Sequence, residues 1–208
     1  MKFLIADDHA IVRKGLAQIL CEEFPHAQVV EVGNSNDALD KARTVVWDVI
    51  LLDISMPGRN GIETLKQMRS EGIKAPILML SMHPEEQYAV RVLKAGASGF
   101  LNKESATDEL LQAVHKVLAG RKYITAGVAE KLAESIGVEG HKPSHEMLSD
   151  REMQVLQLIA AGNTVSEVAT ELSLSVNTIS TYRTRLLEKL SLNNNAELTR
   201  YAIDNGLA

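Results

Sequence analysis

The chain has 208 residues, 45% of them hydrophobic and 24% charged, with a formal net charge of −5. That is enough for one large or two modest domains with cores of their own, and the balance excludes a disordered, collagen-like or low-complexity protein. The acidic total excludes a surface that is basic all over, so any nucleic-acid contact has to be local.

The opening stretch MKFLIADDHA has too few apolar residues for a signal-peptide core, and no run approaches transmembrane length, so a cytoplasmic protein is expected. From there short apolar runs alternate with longer amphipathic ones. KFLIA (2–6), AQVVEV (27–32), DVILLD (48–53), APILML (75–80) and ASGFLN (97–102) read as strands. In the first helical pattern Val12, Leu16, Ile19 and Leu20 fall on one face, and Leu110, Val114, Val117 and Leu118 repeat that spacing in the fifth. Ser105 is the expected N-cap of the fifth, with Asp108 three residues on. Cys21, the single cysteine, sits among apolar positions of the first helix and is expected to fill core. Five βα units make a doubly wound parallel sheet with helices on both faces, because crossovers are right-handed and the strands are apolar throughout.

After Gly120 the pattern loosens. Residues 125–136 suit one short amphipathic helix, and GVEGHKPSHE reads as a linker. The divisions expected are 1–122, a linker with a short helix over 123–147, and 148–208. The last segment shows no strand signal and several helix starts. Ser149 with Glu152 makes a capping box, Leu148 and Met153 supply a hydrophobic staple, and Thr164 with Glu167 repeats the box. Val168 and Leu172 face a core, and Ser175 caps a third helix that turns Ile179, Leu186 and Leu190 inward. A last helix runs from about 195 to 205. Two helices joined by so short a turn cross steeply, as in a helix-turn-helix.

VILLDISMPG places a single acid, Asp53, at the end of the most apolar strand. Taken alone, Asp53 reads equally as a turn residue. In an open parallel sheet, however, chemistry collects outside the carboxyl ends of the strands. Asp7 and Asp8 close the first strand there, Ser81 the fourth and Lys103 the fifth. Three crowded carboxylates resist ionisation unless a cation joins them, and hard oxygen donors suit Mg²⁺. Asp53 then becomes a nucleophile toward a phosphoryl group, with Lys103 and Ser81 holding its oxygens.

Asp7-Asp8, Asp53, Ser81 and Lys103, with MPG after the acid and GASGFLNK ending on the lysine, resemble the receiver domain of two-component response regulators. The resemblance implies an α/β fold, a flavodoxin-like doubly wound five-stranded sheet of order 2-1-3-4-5. It implies phosphorylation of Asp53 by a histidine kinase, Mg²⁺ held by Asp8, Asp53 and the Ser55 backbone with Asp7 in support, and a switch pair of Ser81 and Phe100. Such a protein catalyses only its own phosphorylation and dephosphorylation. Phe100 replaces the tyrosine of other members and is expected to pack inward on activation. Ser55 and His83 flank the path of an attacking water and are expected to tune the lifetime of the phosphorylated state.

LSDREMQVLQLIAAGNTVSEVATELSLSVNTISTYRTRLLEKL resembles the all-α helix-turn-helix domain of the NarL/FixJ (LuxR-type) class. The third helix offers Asn177, Thr178, Ser180, Thr181, Tyr182, Arg183, Thr184, Arg185 and Lys189 to a DNA major groove and its phosphates. From Ser149 on, the five bases Arg151, Arg183, Arg185, Lys189 and Arg200 face seven acids. A monomer would therefore bind weakly, and homodimers on paired half-sites are expected, with Leu198, Tyr201 and Ala202 of the last helix as the dimer surface. The expected function is a phosphorylation-controlled transcription regulator. Two alternatives stay open. An aspartyl phosphatase would need a second acid where Ser55 stands, and a phospho-switch whose helical domain binds protein would lack the steep salt dependence of DNA binding.

Overall fold

The computed structural model describes residues 1–56, 59–82, 85–137 and 144–207. Five strands, β1 (Lys2–Ala6), β2 (Gln28–Val32), β3 (Val49–Asp53), β4 (Ile77–Ser81) and β5 (Gly99–Asn102), alternate with α1 (Ala10–Glu23), α2 (Ser35–Thr44), α3 (Gly61–Ser70), α4 (Glu85–Lys94) and α5 (Ala106–Leu118). All pairs are parallel and the order is β2-β1-β3-β4-β5, the doubly wound order expected. β3 and β4 are buried along their whole length, which is why they read as unbroken apolar runs. On one face Phe3, Ile5, Val49, Leu51, Leu78, Leu80 and Leu101 pack with Leu16 and Leu20 of α1 and Leu110, Val114 and Val117 of α5. The residues between them in the strands point to the other face, where α2, α3 and α4 lie against the sheet.

Two local expectations are corrected. Cys21 is exposed: the buried positions of α1 are Leu16 and Leu20, and one residue further on turns about 100° away from that face. Ser105 precedes α5 but its side chain makes no capping bond, donating instead to the Asn102 carbonyl.

Register decides where the chemistry sits. Ala6 pairs with Leu52, Asp53 with Leu80 and Ser81 with Asn102. The residues at or just past these pairs, Asp7, Asp53, Ser81 and Lys103, therefore emerge side by side at one edge. Gly61 closes the loop after β3: its N–H donates to the Ile54 carbonyl at 2.9 Å, and a Cβ there would overlap the Asp53 carbonyl and the Ile54 backbone. Gly61→Ala is expected to displace this loop and destabilise the chain by ~1–3 kcal/mol, the cost of overpacking a filled site. An unchanged thermal melt would show that the loop yields without strain.

The contacts divide the chain into two compact units, Met1–Ala133 and Glu134–Ala208, with the division inside α6 (Ala126–Gly137). The second unit holds a short 3-10 turn (Ser144–Met147) and α7 (Asp150–Ala160), α8 (Val165–Glu171), α9 (Val176–Leu190) and α10 (Asn195–Asp204). Both capping boxes form, on Ser149/Glu152 and on Thr164/Glu167, and Ser175 caps α9. α7 packs against α8, α9 and α10. Ile179, Leu186 and Leu190 of α9 and Leu198 and Ala202 of α10 are buried.

Candidate functional site

At the carboxyl edge of the sheet the Lys103 ammonium bridges two carboxylates on neighbouring strands, 2.7 Å from Asp7 Oδ2 and 2.8 Å from Asp53 Oδ2. All three side chains are buried, whereas Asp8 is partly exposed. The remaining oxygens are held by main chain: the His9 N–H donates to Asp7 Oδ1 at 2.8 Å and the Ser55 N–H to Asp53 Oδ1 at 3.2 Å. Burial pushes the Asp53 carboxyl up to about 7, with Asp7 adding to the rise and Lys103 and the Ser55 N–H opposing it. Burial alone would lower Lys103, but its pairs with Asp53 and Asp7 prevail and hold the ammonium above its ordinary value.

Asp7, Asp8, His9 and Asp53 each offer a donor atom within 4.8 Å of the others. Three ionised carboxylates less one ammonium leave two negative charges, which one divalent cation neutralises. Oxygen donors at this spacing fit a hard cation such as Mg²⁺.

In the second unit, Asn177, Thr178, Thr181, Tyr182 and Arg185 line a shallow open hollow on α9. The Thr181 and Thr184 hydroxyls donate to the Asn177 and Ser180 carbonyls at 2.9 and 3.0 Å, so their protons are engaged inside the helix. Arg183 Nε donates to Asn195 Oδ1 of α10 at 2.5 Å.

This edge and this helix are matched by two family descriptions, a response regulator receiver domain over residues 3–115 and bacterial regulatory proteins of the luxR family over 146–202. Response regulator UvrY of Escherichia coli (strain K12) is 37% identical over 206 residues, covering 98% of this chain and 94% of that one. The chain belongs to the LuxR-type response regulators. Response regulator GacA of Pseudomonas aeruginosa is 32% identical over 208 residues, covering 100% of this chain and 97% of its own. Among solved structures, RcsB from Salmonella enterica serovar Typhimurium, bound to promoter rprA in the presence of phosphomimetic BeF3-, matches with a TM-score of 0.63 at 29% identity, over 97% of this chain and 98% of that one. As a response regulator of this class, the chain is a phosphorylation-controlled, DNA-binding transcription regulator.

Within this response regulator the structure brings Asp7, Asp8, Asp53, Ser81 and Lys103 to one edge. Ser81 is fully buried, and its carbonyl accepts the Lys103 N–H at 2.8 Å. Ser55 is exposed beside Asp53, while His83 lies outside the described residues. Phe100, the expected partner of Ser81 in the switch pair, is buried at 4% exposure. Three expectations in the second unit meet other uses. Lys189 Nζ donates to Glu152 Oε2 at 2.7 Å, tying the end of α9 to the capping box of α7. Burial would raise Glu152, but Lys189 and the Ser149 cap hold it below the ordinary carboxylate value. Leu198 and Ala202 are fully buried within the unit and offer no dimer surface; one turn of spacing, i to i+4, turns both toward α7. Tyr201 is half-buried, its hydroxyl 3.0 Å from His145 Nδ1, and the large apolar side chain that α10 exposes is Ile203. Sequence reasoning passed over His9, Gly61 and Asn195, of which only His9, next to Asp7-Asp8, carried a signal.

Proposed function

We propose that Asp53 accepts a phosphoryl group from the phosphohistidine of a histidine kinase, and that the modified chain pairs with a second copy on DNA half-sites. The observation that carries this is the Lys103 ammonium bridging buried Asp7 and Asp53. An Asp53 oxygen attacks phosphorus, the P–N bond to the donor imidazole breaks with its electrons going to nitrogen, and an acyl phosphate remains. Lys103 is placed to follow a phosphoryl oxygen, and Ser81 at the neighbouring strand end to bind another. Asp8, Asp53, the Ser55 backbone and, in support, Asp7 would hold Mg²⁺, which when bound offsets the charge of the phosphoryl oxygens. Ser55, exposed beside the acceptor, is placed to orient the water that later hydrolyses the acyl phosphate. These are the chain's only chemical steps, and they make it a substrate and switch rather than an enzyme with turnover.

DNA is met by α9. Asn177 and Thr178 stand at the entry of the helix, Ser180, Thr181 and Thr184 reach deepest into the groove, and Tyr182, Arg183 and Arg185 lie toward its phosphate walls. Among the described residues no helix is long and apolar enough to cross a membrane, and a regulator that meets both a kinase and DNA works in the cytoplasm. Mass spectrometry after treatment with acetyl phosphate in Mg²⁺ tests the acceptor: hydroxylamine-labile phosphate is expected on the peptide carrying Asp53. Label confined to any other peptide would overturn the assignment. Salt tests the DNA reading, because DNA affinity falls steeply as salt rises and protein docking at α9 would not follow that slope.

A further inference from the structure

We propose that the His9 imidazole is a nitrogen donor of the cation centre on Asp7, Asp8 and Asp53, and that it turns this centre toward first-row transition dications relative to Mg²⁺. The inference rests on the reading that these carboxylates hold a divalent cation. His9 occupies the N-cap position of α1, where a polar side chain ordinarily accepts from the first turn, yet its ring makes no capping bond. Its main chain is pinned instead, by the N–H bond to Asp7 Oδ1 at 2.8 Å. The ring turns back over the acids, with Nδ1 2.7 Å from Asp8 Oδ1 and 3.3 Å from Asp7 Oδ1. Nδ1 thus lies among the oxygens that a bound cation would share, inside the 4.8 Å cluster that also includes Asp53. The ring is also 57% exposed, so it can shift to admit an ion without disturbing the core.

The chemistry follows from the donor types. Mg²⁺ demands oxygen and keeps its water, so an imidazole nitrogen at the rim adds little to its binding. First-row transition dications accept imidazole beside carboxylates, with affinity rising from Mn²⁺ through the series. Mn²⁺ stands lowest in that order and is the most stringent probe: a nitrogen effect seen with it holds for the others.

The test uses the full chain freed of metal by a chelator, titrated calorimetrically at one pH with Mg²⁺ and with Mn²⁺, as wild type, His9→Ala and His9→Asn. Asparagine can donate to the same carboxylates but brings no ring nitrogen. Both variants are expected to lose about tenfold in Mn²⁺ affinity, the lower end of what a ligand-shell change costs, while Mg²⁺ affinity stays within about twofold. Electron spin echoes of the Mn²⁺-loaded wild type should show nitrogen modulation that both variants lack. Equal changes for the two metals, tighter binding of both in His9→Ala as for a displaced counter-charge, or modulation that persists in His9→Asn would overturn the inference and leave the carboxylate centre standing. Failure of either metal to bind the wild type would overturn both.

Discussion

Exchanging Asp53 for asparagine is expected to abolish labelling by a small phosphodonor and, without divalent cations, to raise the melting temperature. The first effect follows because an amide oxygen is a poor nucleophile toward phosphorus. The second follows from burial. The Asp53 side chain is sealed from water, and its pKa stands at about 7 instead of 3.8. The folded chain therefore binds this proton more tightly than the unfolded chain. Such a group supports folding fully below its unfolded value, and the support is lost as pH rises through the folded value near 7. Above that, the ionised carboxylate opposes folding by at most ~4 kcal/mol, at about 1.4 kcal/mol per pH unit. Asparagine is neutral at every pH, and Lys103 keeps Asp7 at 2.7 Å, so no buried ammonium is stranded. A gain of ~1–3 kcal/mol is expected near pH 8, shrinking toward nothing near pH 4. Mg²⁺ should reverse the comparison, since a ligand of the folded state stabilises the chain that binds it. Thermal melts in chelator and in Mg²⁺ at both pH values decide this. A variant that melts below the wild type in chelator near pH 8 would show that the carboxylate is not held against its own charge.

The parallel sheet was legible because strands covered on both faces must be apolar throughout, so β3 and β4 stand out as runs that alternating strands would not produce. The acidic site was legible for a related reason: once the strand order is known, the ends of β1, β3, β4 and β5 have to meet. What stayed hidden was the identity of partners distant in sequence. An i, i+4 pair such as Leu198 and Ala202 says that water is avoided, not whether a second copy or α7 excludes it. Lys189 reads as a free cation on a DNA-facing helix until Glu152, thirty-seven positions away in sequence, is seen to hold it. Cys21 shows the converse limit, since apolar neighbours on a helix do not share one face.

Removing Arg183 and removing Thr181 should damage DNA binding in different ways. α9 is not a basic helix: Arg183, Arg185 and Lys189 are its only cations, and Lys189 is paired with Glu152. Arg183 is clasped through Nε by Asn195, which leaves its two terminal nitrogens to reach a phosphate from a fixed position. Arg183→Ala should weaken binding about equally on cognate and scrambled DNA and reduce the salt slope by about one per chain bound. Thr181 lies in the hollow with Asn177, Thr178, Tyr182 and Arg185, and its hydroxyl proton is given to the Asn177 carbonyl. On the proposed docking it would therefore meet the groove with a methyl group and a lone pair, a surface that suits a thymine methyl and discriminates weakly. Thr181→Ala should re-rank operator variants, by about 1 kcal/mol at the position it faces, while leaving the salt slope unchanged. Both variants are to be titrated on the two DNAs at several salt concentrations. If Arg183→Ala alters base preference and Thr181→Ala lowers affinity on every DNA alike, α9 lies in the groove with a different face forward.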